Sequence, residues 1–324
     1  MPSFTPGLDF EEAKRFVEIA GLADYYFVIT RADLSVPQPA STSVFIVPGD
    51  ADGVSVGEHA DLLGWETSVH GELHLDEVRV PADHLIGREE GTAARFMGRA
   101  MPNLLVGYAT CYVGLAREAY EHARAYAGER ESWGKPITDH QAVSMRLADM
   151  RINTRAARLI VEDAAAGIEA GAPDAGERAF TAKTFVLGKA IENAEAAVRT
   201  MGGYGVTAES PAARYLRDAW TGDPVDGTHD VMRLAIMQDV GRREAAGEEP
   251  PEEAAEAAEQ ERSQTGDRPG VGDTLEKRTP PLPISLLGVW FLVVPLSGLH
   301  LLEIGQRAGD VLTKGRDRPV DALR

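Results

Sequence analysis

Up to about residue 90, apolar and polar positions alternate or gather in short β-branched and aromatic runs. Tyr25-Tyr26-Phe27-Val28-Ile29-Thr30 is one run and Ser43-Val44-Phe45-Ile46-Val47 another, the second closed by Pro48-Gly49. Gly53-Val54-Ser55-Val56-Gly57 predicts a short third strand. Glu72-Leu73-His74-Leu75 predicts a fourth, continuing through Val78-Arg79-Val80 to Pro81, which has no N–H for a ladder. Strands so closely spaced, with no helical pattern between them, predict an antiparallel sheet or part of a barrel over 1–90.

From Gly91 the period becomes helical. Ala-rich segments at about 92–128, 139–171, 173–201 and 225–246 place apolar residues such as Val143, Leu147 and Met150 on one face. Thr138-x-x-Gln141 predicts a capping box at the start of the second helix, and Gly202-Gly203-Tyr204-Gly205 ends the third. Long helices with short links predict an antiparallel four-helix bundle over 91–243. The fold class expected is therefore α+β. Residues 244–283 are rich in Glu, Ala, Pro and Gly and predict a disordered or partly helical linker. Residues 284–324 hold an apolar stretch, 284–304, that is long enough for one membrane span and is flanked by Arg278 and Arg307. Pro295 and the polar Ser285, Ser297, His300 and Glu303 argue for a packed or unstructured apolar tail instead.

Charge narrows the choice of partner. A net charge of −18 excludes duplex nucleic acid, whose phosphates need clustered Lys and Arg, though an anionic cofactor can still bind at local donors. The single cysteine, Cys111, excludes an internal disulfide and suits a reducing cytoplasm; its apolar neighbours predict a buried side chain. Residues 1–10 lack the basic-then-apolar pattern of a secretion signal. His70 and His74 share a strand face but lack the zinc-protease order, so no metal site is expected.

Three segments of the helical region carry chemistry suited to a flavin and a thioester. In Arg130-Glu131-Ser132-Trp133-Gly134-Lys135-Pro136 a guanidinium can pair phosphate oxygens and an indole can lie on a flat ring, although a surface charge and a core plug are the plainer reading. In Arg199-Thr200-Met201-Gly202-Gly203-Tyr204-Gly205 the glycines let backbone N–H groups approach a ligand, and they also suit a helix C-cap. Arg217-Asp218-Ala219-Trp220 precedes Val225-Asp226-Gly227-Thr228-His229-Asp230. There Asp226 is either a proton acceptor or the N-cap of the next helix, and His229 reads as a surface residue near a helix N-terminus.

In order and spacing these segments resemble the acyl-CoA dehydrogenase family over about residues 14–241. Leu63-Gly64-Trp65, Glu77-Val78-Arg79-Val80-Pro81-Ala82 and Leu85-Ile86-Gly87 look like that family's exit from its β-domain, and Gln141-Ala142 with Leu147-Ala148-Asp149-Met150 follows in family order. The resemblance implies α,β-dehydrogenation of an acyl-CoA thioester with FAD as cofactor and electrons passed to an electron-transfer flavoprotein. It also implies a homodimer or tetramer. Asp226 falls where the family has its catalytic Glu. Arg130, Trp133, Ile137, Gln141, Arg199, Gly203, Thr228 and Asp230 fall at FAD-contacting positions, several of which reach across a dimer interface in the family. Val225 and Gly227 fall beside the substrate.

The sequence departs from the family at several of these positions. Aspartate is one methylene shorter than glutamate, Arg199 replaces Gln, and Asp230 replaces Gln or Glu. Phe16-Val17-Glu18 aligns with the flavin-side aromatic-Ile-Thr segment, and Glu18 cannot donate as a hydroxyl does. The family's N-terminal helical domain and first strands have no counterpart before Phe16. The alternative expectation is therefore a non-catalytic or truncated subunit that assembles with a complete homologue. Some members carry their carboxylate on the first bundle helix; Asn103-Leu104-Leu105 lies there instead.

Overall fold

The computed structural model describes residues 12–31, 42–88, 91 and 93–248. The apolar stretch 284–304 and nearly all of the acidic linker lie outside them. The described residues form two compact units, one of 12–59 and 70–96, the other of 60–69 and 97–248.

The first unit is antiparallel β-structure. Strands β1 (Glu12–Glu18), β5 (His70–Leu75) and β4 (Val54–His59) make one sheet in the order β1-β5-β4, and β2 (Tyr25–Arg31) pairs with β3 (Thr42–Pro48) in a second. Alternation decides the faces: Tyr26 and Val28 of β2 are buried with Phe45, Val47, Leu73, Leu75 and Val78, while Tyr25, Phe27 and Ile29 are exposed. Two sequence expectations change. β1 is not among the predicted strands, and β5 ends at Leu75, so Val78-Arg79-Val80 packs beside the sheet without extending it. The β1–β5 register shifts between Lys14 and Val17, and Phe16 sits in that irregularity at φ 58° with its ring exposed. His70 is buried opposite Glu18, and His74 pairs with Glu72 at 3.3 Å.

The second unit is helical: α1 (Ala93–Glu129), α2 (Gln141–Ala170), α3 (Ala175–Met201), α4 (Pro211–Gly222) and α5 (His229–Ala245). The Ala-rich sequence lets the helices approach closely. Ala109, Ala116, Ala123, Ala157, Ala164, Ala182, Ala190 and Ala197 are all fully buried along their contact lines. Asn193 of α3, also fully buried, ties three helices together, its amide donating toward the carbonyls of Ala116 and Met150 at 3.1 and 3.0 Å. At the α2–α3–α5 contact, Arg243 pairs with Asp239 and Glu177, and Arg178 bridges Asp174 and Asp163.

The short helix α4 is an addition to the predicted four. Ser210 caps it by accepting from the Ala212 N–H at 3.2 Å, with Pro211 at its first turn. The predicted capping box of α2 does not form: its N-cap is His140, with no side-chain bond. Cys111 is exposed rather than buried, because it lies on the outer side of α1 between the buried Ala109 and Tyr112. Partial burial still pushes its thiol pKa up. Among the described residues no helix is long and apolar enough to cross a membrane.

Candidate active site

The turn between α4 and α5 presents Asp226 at the surface with φ 53°, a left-handed conformation that costs a non-glycine residue energy but that Asp tolerates better than most. Gly227 follows at φ 110°, where a Cβ would meet the Met232 side chain at 2.5 Å. Internal closure is slight: the N–H groups of Val225 and Gly227 donate to Gly222 and Pro224 at 3.3 Å. The N-cap of α5 is Thr228, whose hydroxyl accepts from the Val231 N–H at 3.4 Å, so Asp226 has no capping role.

What shapes this turn comes from other helices. Lys183 of α3, only 1% exposed, donates from Nζ to the carbonyl oxygens of Val225 and Gly227, on either side of Asp226. Burial pushes the Lys183 ammonium pKa down, against smaller opposing effects of the Asp226 and Asp223 carboxylates. Its Nζ also lies 5.8 Å from the centre of the Tyr108 ring. On the next residue of α3, the Thr184 carbonyl lies 2.8 Å from Nε2 of His229, whose Nδ1 pairs with Asp223. His229 is thus a half-buried strap rather than the surface residue expected.

From α1, the Tyr108 hydroxyl donates to the Gly222 carbonyl at 2.9 Å and the Tyr112 hydroxyl to the Asp218 carbonyl at 3.1 Å. Burial pushes Tyr112 up to about 12, against smaller lowering by hydrogen bonds to Tyr108 and Trp65. The Asp218 carboxylate accepts from the Trp65 N–H at 2.7 Å, and Arg217 pairs with Glu66. Arg217-Asp218 therefore anchors the 60–69 segment. On α1, Asn103 bonds back to Arg99, so the helix offers no carboxylate there.

The other predicted residues collect where α1 ends, α2 begins and α3 ends. Arg130 is exposed, its carbonyl accepting from the Ile137 N–H at 2.8 Å across a small hairpin. At the hairpin's tip Trp133 has φ 57° and is 94% exposed, which rules out the core-plug reading. Ile137 packs against the buried cluster that includes Leu147, Met150 and Met201, while Gln141 and Arg199 are exposed; Arg199 lies 3.6 Å from Glu195. Gly202 and Gly203 border open space, with no atom near the position a methyl would take, and Tyr204 stacks obliquely toward Tyr126 at 6.2 Å. Two guanidiniums, an uncovered indole and accessible glycine backbone suit a dinucleotide. Asp230, near Asp226, is exposed and paired with Arg233 at 2.9 Å, which offsets its charge.

The two groups do not meet within one chain. At a rise of about 1.5 Å per residue, Lys183 beneath the Asp226 turn and Gly202 stand about 28 Å apart along α3. Phe16 and Glu18 belong to the β-unit. Sequence reasoning missed Lys183, Tyr108, Tyr112 and the Asp223–His229 pair. Only Lys183 left a signal, being a lone charge on the face of α3 otherwise made by Ala179, Ala182, Val186 and Ala190.

An antiparallel helical bundle that holds an exposed carboxylate in a strapped turn defines the class, and comparison with known proteins defines the family. Residues 97–241 match the acyl-CoA dehydrogenase C-terminal domain. An acyl-CoA dehydrogenase of Bacillus subtilis is 36% identical over 231 residues, 70% of this chain and 59% of that protein. A short-chain-specific acyl-CoA dehydrogenase of Megasphaera elsdenii is 33% identical over 222 residues, 68% and 57% of the two chains. The solved butyryl-CoA dehydrogenase of Megasphaera elsdenii superimposes with a TM-score of 0.66 at 32% identity, covering 71% of this chain and 59% of that one. Through these residues the chain belongs to the acyl-CoA dehydrogenase family. It spans less than three fifths of the length of the relatives named.

Proposed function

We propose that the chain is the catalytic-corner and dinucleotide-binding part of an FAD-dependent acyl-CoA dehydrogenase, with Asp226 as the base that removes the substrate's α-proton. The observation that carries this reading is the Asp226 turn itself: an exposed carboxylate at positive φ, free of capping, with the backbone on both sides tied to a buried lysine. FAD, when bound, supplies the acceptor for the hydride that leaves the β-carbon. Asp226 takes the α-proton, so the Cα–Cβ single bond becomes a double bond with atoms and electrons in balance. Val225 and Gly227 flank the acyl group. Because the side chain is one methylene shorter than glutamate, the backbone position of the turn carries more of the aiming, and about 1 Å of misplacement can cost a hundredfold in rate.

Arg130 and Arg199 pair the pyrophosphate, Trp133 lies against a planar ring, and Ile137, Gln141, Gly203, Thr228 and Asp230 complete the cofactor contacts. The separation of Arg130, Trp133, Arg199 and Gly203 from Asp226 supports an assembly of at least two chains, each lending its dinucleotide end to another's corner. Electrons leave to an electron-transfer flavoprotein.

The protein purified with FAD is expected to show a flavin absorbance band that acyl-CoA bleaches. Asp226→Asn should bind flavin normally and lose bleaching by about 10²- to 10⁴-fold, the range for removing a general base. A protein that stays colourless after reconstitution with FAD overturns the proposal. Glu18, placed where relatives have a hydroxyl, favours a second reading, a subunit that acts only with a complete homologue. In that case activity of the co-purified assembly is indifferent to Asp226→Asn.

A further inference from the structure

We propose that Lys183 is the positioning residue for Asp226, fixing the direction of the carboxylate by holding the two carbonyl oxygens that flank it. The proposal rests on the reading of Asp226 as the base. The backbone of the turn holds itself weakly: two consecutive residues have positive φ, and the N–H groups of Val225 and Gly227 make only long bonds of 3.3 Å within it. A buried ammonium spends its donors where they constrain most, at the acceptors one residue before and one after Asp226. The neighbouring strap, His229 to the Thr184 carbonyl, comes from the next residue of α3, so the register of one helix sets both sides of the turn.

An apolar side chain at this position would pack against Ala182 and Val186 without the cost of desolvating a charge. The charge is balanced locally. Asp223 and Asp226 face Lys183 from the turn, His229 of α5 reaches the same group through Asp223, and the Tyr108 ring of α1, with Tyr112 behind it, closes the apolar side.

The wild-type protein provides the first test. With ¹⁵N-labelled protein, the Lys183 Nζ signal and the amides of Val225, Gly227 and Thr228 are followed as pH rises. Lys183 should titrate below the ordinary lysine value of 10.5, and these amides should shift with it; amides that stay flat through the Lys183 transition overturn the proposal. In Lys183→Met, hydrogen exchange of the Val225 and Gly227 amides should accelerate at least about tenfold, the size of a lost hydrogen bond to a charged donor, while exchange in α2 stays unchanged. Turn exchange equal to wild type in the folded variant also overturns it, and if that variant does not fold the wild-type titration decides.

Bleaching by acyl-CoA should slow in Lys183→Met by between about tenfold and a hundredfold, in kcat rather than KM. If the wild type is not bleached at all, the reading of Asp226 as a base fails. Titration and exchange still decide whether Lys183 holds the turn.

Discussion

The Asp226 turn and the glycine-rich end of α3 are both short segments in which a helix gives way through glycine, yet they are built in opposite ways. Around Asp226 the chain supplies its own partners: Lys183, Thr184, His229, Tyr108 and Tyr112 all engage the backbone or side chains of 218–229. A methyl added at Gly222 would lie 1.7 Å from the Tyr112 hydroxyl. At the far end of α3, Gly202 and Gly203 border open space, Trp133 is 94% exposed and Arg199 reaches out on the surface. A carboxylate that must meet a C–H bond at one angle needs a preorganised backbone. A surface that receives a large anionic ligand needs unfilled donors, and it is finished by what binds.

The contrast can be broken at its tight end first. Gly222→Ala should destabilise the helical unit by about 3 kcal/mol, because the tyrosines and α4 must separate to admit the methyl. Urea unfolding measures this, and a loss below about 0.5 kcal/mol would mean that the corner is loosely packed.

Alkaline titration sharpens the same end. Tyr112 has its pKa raised from 10 to about 12, so the folded protein holds a proton that the unfolded chain releases, and the contribution is lost as pH rises through that window. The loss amounts to at most about 2.7 kcal/mol. Lys183 acts in the opposite sense, its depressed pKa making the fold more stable as pH rises toward 10.5. The difference between wild type and Tyr112→Phe isolates the tyrosine, and a Phe variant with the wild-type slope would exclude it as the source.

At the open end, effects should fall on binding and leave stability alone. Arg130→Ala should weaken FAD binding by about 2 kcal/mol through loss of a charge-assisted bond, with the melting temperature of the flavin-free protein unchanged. Calorimetry of FAD binding would show it. Gly203→Ala should be the mildest, within about 0.5 kcal/mol in unfolding free energy, since its methyl would meet nothing. A large loss of stability there would show that the glycine end is packed after all.

Much of this was legible in the chain. The runs at Tyr25–Thr30 and Ser43–Val47 became β2 and β3, and all four predicted helices appear within four residues of their expected ends. Local patterns suffice there because strand and helix faces repeat at fixed periods. α4 was harder to see, because its twelve residues carry polar groups on most of their surface and only Ala212, Ala219 and Gly222 are buried. Cys111 misled because its apolar neighbours are buried on a face that it does not share.

The order of chemical segments, from Arg130 through Gly203 to Asp226, belongs to the sequence alone, since residue type and spacing along the chain carry it. Which partners each segment has was decided by tertiary structure. Lys183 lies 43 residues from Asp226, and Tyr112 lies 106 residues from the Asp218 carbonyl it binds. No local period links such distances. Only the packing of α1 and α3 beneath the turn brings a buried ammonium and two phenols to the backbone around one exposed carboxylate.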